Sequence, residues 1–268
     1  MRTRRLTGWG LGAMAAAALA LAGCSAEGGT TPEASASAGA PSPATSSAAA
    51  DPAAAAQLGQ AAAALGENSF KITMTSGPGF KLDGMMDAPN GKGTATLHAT
   101  SDNADVTVKS LLVGQDLYVQ VPGLTKAGTW THVDVARLPE GAEIGLRPGQ
   151  IDPADTARLL SSTTDVRQTA PGSYAGSLDL TKAAGLSGVD RVTIDKYGDR
   201  AQRVPFTAGV DDQGRLSALT IQLPAVDGGQ AQPLEVLYTD YGTTVTAERP
   251  AASEITEAPD GFYDSLGG

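Results

Sequence analysis

The chain has 268 residues, with 19 basic against 29 acidic side chains, 41% hydrophobic and 4% aromatic residues, and a single cysteine. A net charge of −10 argues against nucleic acid as a partner, because phosphate binding needs a basic surface. One cysteine excludes an intrachain disulfide, so stability has to come from apolar burial.

The first segment carries Arg2, Arg4 and Arg5, then an alanine-rich apolar stretch from Leu11 to Leu21, then Leu21-Ala22-Gly23-Cys24. Charged, apolar and small residues in that order predict a secretion signal over residues 1–23, and the apolar part is too short for a permanent membrane span. Cys24 then becomes the acceptor for a diacylglycerol thioether and fatty acylation such as palmitate, and two or three acyl chains hold a protein stably on a membrane. The expected location is the outer, extracytoplasmic face of the cell membrane. Losing three arginines with the signal lowers the basic count from 19 to 16 and the net charge to −13.

Residues 24–51 form the lipidated N-terminus and a tether of Ala, Ser, Thr, Pro and Gly. With almost no large apolar side chain this stretch cannot offset its ordering entropy, and as a flexible coil it reaches about 30 Å. Residues 52–268 are expected to form one domain, since no second linker of that composition follows.

Asp51-Pro52 predicts a capped helix with proline in its first turn, running to Leu65 and ending at Gly66. The apolar period then changes to two. Phe70, Ile72 and Met74, then Phe80, Leu82 and Met86, then Ala95, Leu97 and Ala99, then Val106 and Val108 each alternate with polar residues. The turn residues Gly77-Pro78-Gly79, Asn90-Gly91 and Asp102-Asn103 separate these strands and predict an antiparallel meander, continued by 117–121 and 130–135. Asp152-Pro153 predicts a second helix through Leu160, and a third short one is expected at 180–185. Strands return at 203–210, 216–223, 234–239 and 243–247.

This order predicts an α+β fold: a single, strongly curved antiparallel sheet, a half-barrel, with a few short helices over its concave face. Such a sheet can enclose an apolar cavity. The candidate inward residues are Phe80, Leu82, Met86, Leu97, Val106, Val108, Trp130, Phe206, Ile221 and Leu223, each of which serves equally as plain core. Many inward positions are alanine, including Ala95, Ala99, Ala104 and Ala208; these either leave room for acyl chains or let the sheet pack tightly.

Catalytic chemistry is sparse. There is no Gly-x-Ser-x-Gly elbow, phosphate loop or His-Glu-x-x-His, and His98 and His132 read as exposed strand residues without a third metal ligand. Asp211, Asp212, Asp227 and Asp240 read as turn residues, since calcium loops need a tighter alternating array. No catalytic residue, metal or cofactor is expected.

Four segments together resemble the LppX/LprG-type actinobacterial lipoproteins, relatives in fold of the LolA and LolB lipoprotein carriers. They are Gly128-Thr129-Trp130-Thr131-His132-Val133-Asp134, the Asp152-Pro153 to Leu159-Leu160 helix, Asp211-Asp212-Gln213-Gly214-Arg215-Leu216 with Leu219-Thr220-Ile221, and Asp240-Tyr241-Gly242 with Val245 and Pro250. The resemblance spans roughly residues 68–258 and implies a U-shaped half-barrel that holds acylated lipid or glycolipid for transport or presentation. It implies a monomer anchored to the membrane by lipid, with a membrane transporter as a candidate protein partner. A non-catalytic structural or protein-interaction lipoprotein with a solid core stands as the alternative, and an enzyme is disfavoured.

Overall fold

The computed structural model describes residues 50–101, 104–121, 125–138, 146–147, 150–182, 191–226, 229–261 and 263. The signal segment, Cys24 and the tether up to residue 49 lie outside the described residues, as do the turn residues Asp102, Asn103, Asp227 and Gly228.

The chain opens with α1, Pro52–Ala63, and a 3₁₀ turn, Ala64–Glu67. The Asp51 carboxylate accepts from the Ala53 and Ala54 amides at 2.9 and 3.3 Å, which satisfies two of the orphan donors of the first turn. Six strands then follow as a meander: β1 (Ser69–Ser76), β2 (Phe80–Asp87), β3 (Lys92–Ser101), β4 (Ala104–Val113), β5 (Asp116–Gln120) and β6 (Trp130–Asp134). A two-residue ladder of β7 (Leu146–Arg147) and β8 (Gln150–Ile151) leads to α2, Thr156–Ser161.

The second half of the sheet consists of β9 (Arg167–Ala170), β10 (Ser173–Leu178), β11 (Val204–Val210), β12 (Leu216–Leu223) and β13 (Gln232–Thr239). A 3₁₀ turn at Leu180–Lys182 and the helix α3, Arg191–Tyr197, lie between β10 and β11. After β13 the chain continues to β14, Ile255–Glu257. Among the described residues, twelve strands form one open sheet in the order β14-β6-β5-β4-β3-β2-β1-β13-β12-β11-β10-β9. Every pairing is antiparallel except β14 on β6.

Directly opposed residues share a face, so the register traces the apolar surface across the sheet. One row runs Val106–Ala99–Phe80–Ser76–Leu234–Ile221–Phe206, and the next Val108–Leu97–Leu82–Met74–Val236–Leu219–Ala208–Tyr174. We call this the inner face. Helix α1 covers its second half with Ala54, Leu58, Ala61 and Ala62, which belong to the same buried cluster as Leu219, Ile221 and Phe206. The Tyr174 hydroxyl donates to Gln57 Oε1 at 2.9 Å and ties α1 to β10.

The structure departs from the sequence expectations in three places. Residues 243–247 form no strand; the chain there is irregular and returns to the sheet only at β14. The second helix begins at Thr156 and not at Pro153, because Asp155 takes a left-handed conformation, φ 47°, and closes a turn by donating its amide to the Asp152 carbonyl. The short third helix expected at 180–185 is present as the Leu180–Lys182 turn, and residues 183–185 lie outside the described residues. Strands β9 and β10 escaped the sequence reading because Arg167–Ala170 lacks a large apolar residue and the inward positions of β10 include Gly176.

Gly176 sits directly under a core ring. A Cβ there would lie 2.8 Å from Phe206 Cε1 and 3.2 Å from the Asp165 carbonyl oxygen. Phe206 is 2% exposed and has little room to retreat. Gly176→Ala should therefore cost about 1–3 kcal/mol through overpacking, read as a lowered urea midpoint with an unchanged slope; an unchanged midpoint would show that the ring relaxes freely.

Candidate functional site

The candidate site is the inner face of β2, β3 and β4. The register brings Phe80, Leu82, Met86, Leu97, Val106 and Val108 onto this one face, together with Phe206, Ile221 and Leu223 from β11 and β12. Their burial divides them. Met86, Phe206 and Ile221 are buried at 3%, 2% and 1% exposure, whereas Phe80, Leu82, Leu97, Val108 and Leu223 are half-buried and Val106 is 37% exposed. Over β1 and β11 to β13 the face is a packed core; over β2 to β4 it is apolar and incompletely covered.

Small residues shape this region. Ala95 and Ala99 stand on the inner face of β3 and Ala208 on that of β11, while the side chain of Ala104 lies outside the described residues. Gly93 opposes Met86, and a Cβ there would lie 2.8 Å from the Met86 sulfur. The flexible thioether thus fills space that the strand leaves empty.

Trp130 does not join this face. In β6 the inner positions are Thr131 and Val133, opposite Val119 and Leu117, which puts Trp130 and His132 on the other side of the sheet. The alternation that placed the earlier strands correctly gave no sign of this, because Thr131 and Val133 are as compatible with either face as Trp130 and His132.

Beside the site, a buried polar cluster pins α2 to the sheet. The Asp152 carboxylate accepts from the Ala154 and Thr156 amides at 3.0 and 2.8 Å, and from the Tyr238 hydroxyl at 3.2 and 3.3 Å. The Tyr238 and Thr156 hydroxyls also bond to each other. Burial pushes the Asp152 carboxyl above the usual carboxylate range, and the bonds from Thr156, Ala154 and Tyr238 oppose it. A raised carboxyl pKa means that the folded state binds the proton more tightly. The contribution of Asp152 to stability is therefore greatest below its unfolded pKa and falls as pH rises towards the folded value. The sequence marked Asp152 as a helix cap but held no signal for its partner, since Tyr238 lies 86 residues away.

His132 differs from the expectation of an exposed strand residue. Its side chain is 13% exposed and lies between Asp116 Oδ1, 2.7 Å from Nε2, and Glu257 Oε2, 2.6 Å from Nδ1. His98 is exposed, and its Nδ1 lies 3.2 Å from the Thr107 hydroxyl. Asp211 closes its turn by accepting from the Gln213 and Arg215 amides at 2.9 and 2.8 Å and from the Arg215 guanidinium. Among the described residues, no group of three or more His, Cys, Asp or Glu side chains is arranged to hold a metal, and no helix is long and apolar enough to cross a membrane.

Tyr238→Phe removes the hydroxyl shared by Asp152 and Thr156 while preserving the ring against Phe70, whose centroid is 5.5 Å away. The variant should lose about 1–3 kcal/mol of unfolding free energy in urea; no loss would mean that α2 is held by apolar packing alone. No protein-family model matches this chain, and no curated protein is significantly similar to it.

Proposed function

We propose that this chain is a non-catalytic envelope lipoprotein, held on the outer face of the cell membrane through Cys24, that carries acylated lipid or glycolipid against the inner face of β2 to β4. The observation that supports this reading is the incomplete cover over Phe80, Leu82, Leu97, Val106 and Val108, five apolar side chains brought together on neighbouring strands. Apolar surface left in water costs about 25 cal/mol per Å², so acyl chains laid along these rows gain by displacing solvent. The directly opposed positions in β2 to β4 are also apolar and offer no charge to a polar substrate. Binding then needs no cofactor, because the driving force is burial alone.

In this reading the open sheet curls into a half-barrel, as in the LppX/LprG-type lipoproteins that the sequence resembles. A tether of the Ala, Ser, Thr, Pro and Gly composition of residues 24–51 would leave the domain free to reach the bilayer from which it loads. The acidic mature chain is repelled from anionic headgroups, so contact with the membrane is made by the lipid anchor rather than by a basic surface. A solid-core interaction module is the second reading, and the tight packing over β1 and β11 to β13 supports it.

Organic extraction and mass spectrometry of the purified chain lacking residues 1–24 separates the two. Lipid carriage predicts co-purifying acyl lipid, with Leu82→Trp or Val108→Trp reducing it by about tenfold, a loss of about 1.4 kcal/mol in binding. Consistent absence of lipid from a folded preparation would favour the solid-core module.

A further inference from the structure

The C-terminal segment is strapped to the β6 edge by a polar clasp with apolar packing beneath it. β14 pairs with β6 through Ile255, Thr256 and Glu257, and the Ala258 amide donates to the His132 carbonyl at 2.9 Å. Further along, the Tyr263 hydroxyl accepts from the Asp134 amide at 2.9 Å, Arg137 donates to Asp260 at 2.6 Å, and the Arg137 guanidinium lies 4.1 Å from the Tyr263 ring centroid. Ala258 and Tyr263 form a small apolar cluster with Val133, against which Leu117 packs. Val133, Leu117 and Leu112 stand in one cross-strand row on the inner face, so the strap covers the β6 end of that face.

At the centre of the clasp is His132. An ionised carboxylate only accepts hydrogen bonds, so a ring with a carboxylate oxygen within 2.7 Å of each nitrogen has to donate from both and carry a positive charge. A neutral imidazole would turn a lone pair towards either Asp116 or Glu257. We infer that His132 is a proton-controlled latch: as the imidazolium, it joins β5 to β14 and holds the strap closed, and on deprotonation it releases the strap and uncovers Leu117 and Val133. The inference stands on the contacts of the strap and holds whatever the inner face carries.

The charged and titratable groups around the ring act in one direction. Asp116 on β5 and Glu257 on β14 favour the charged form, and Tyr118 on β5 stacks against the ring with centroids 5.2 Å apart. The Tyr118 phenol is itself pushed up by burial and by Asp116, which keeps it neutral, while Arg249 acts on Tyr118 from the segment before β14. Burial opposes the histidine charge, but the hydrogen bonds to Glu257 and Asp116 and their negative charge outweigh it and hold the imidazole above its ordinary value. A pKa raised in the docked state gives a stabilisation that is complete below the ordinary histidine value and is lost as pH rises through the docked value.

Amide hydrogen exchange read by NMR, with the histidine titration followed in the same samples, tests the latch. In the native chain the protection factor of the Ala258 amide should fall as pH rises from the ordinary histidine value through the docked one, by about tenfold for each unit by which the docked pKa exceeds the free value, with the midpoint of the His132 titration. His132→Gln should abolish this dependence. Glu257→Gln, at a carboxylate 71% exposed and therefore safe for folding, should move both midpoints to lower pH together. Protection of Ala258 that is constant with pH in the native chain, or that keeps its pH dependence in His132→Gln, would overturn the latch.

Discussion

The antiparallel seam between β1 and β13 is the contact on which the rest of the fold depends. Lys71 to Ser76 pair with Thr239 to Leu234, residues about 160 apart in the chain, and this pairing fuses the β1–β6 meander to the β9–β13 half. Without it each half would expose an edge, and the apolar rows would stop at β1. With it, Ile72 and Met74 stand opposite Tyr238 and Val236, Phe70 packs edge-on against the Tyr238 ring, all five are at 2% exposure or less, and the helices close over them. Such long-range pairing pays its closure entropy before any contact rewards it, so the seam is secured by complete burial of its inner side chains.

Burial at the seam also explains why the face changes character across the sheet. Helix α1 and the helix α2 held by Asp152 and Tyr238 lie over the seam and the second half. The strands β2 to β4 extend beyond that cover, and their Leu, Val and Phe side chains continue the same rows with less above them. A sheet built only for stability would alternate to polar residues where cover ends. Here the apolar pattern persists, and that persistence underlies the proposal of an acyl-chain surface.

Much of the first half was legible in the sequence because its information is local. The period of two from Phe70 to Val108, the Asn90-Gly91 turn and the Asp51 cap each report on neighbours a few residues away, and the structure places all of them as the pattern implies. What escaped depends on distant partners. Trp130 needed the β5 pairing to be assigned a face, and the irregular run after Gly242 mimicked a strand because its alternating Val245 and Ala247 are buried without a ladder. His132 looked solvated because Glu257 meets it across 125 residues, and Asp152 looked like a simple cap because Tyr238 meets it across 86.

Paramagnetic relaxation would show whether acyl chains lie along β2 to β4. The chain lacking residues 1–24, methyl-labelled at Leu and Val, would be titrated with a phospholipid bearing a nitroxide within its acyl chain. Acyl chains on the inner face should broaden the Leu82, Leu97, Val106 and Val108 methyls while Leu237, 50% exposed on the opposite face, stays sharp. Equal broadening of Leu237, or no broadening on the inner face at saturating lipid, would contradict that placement.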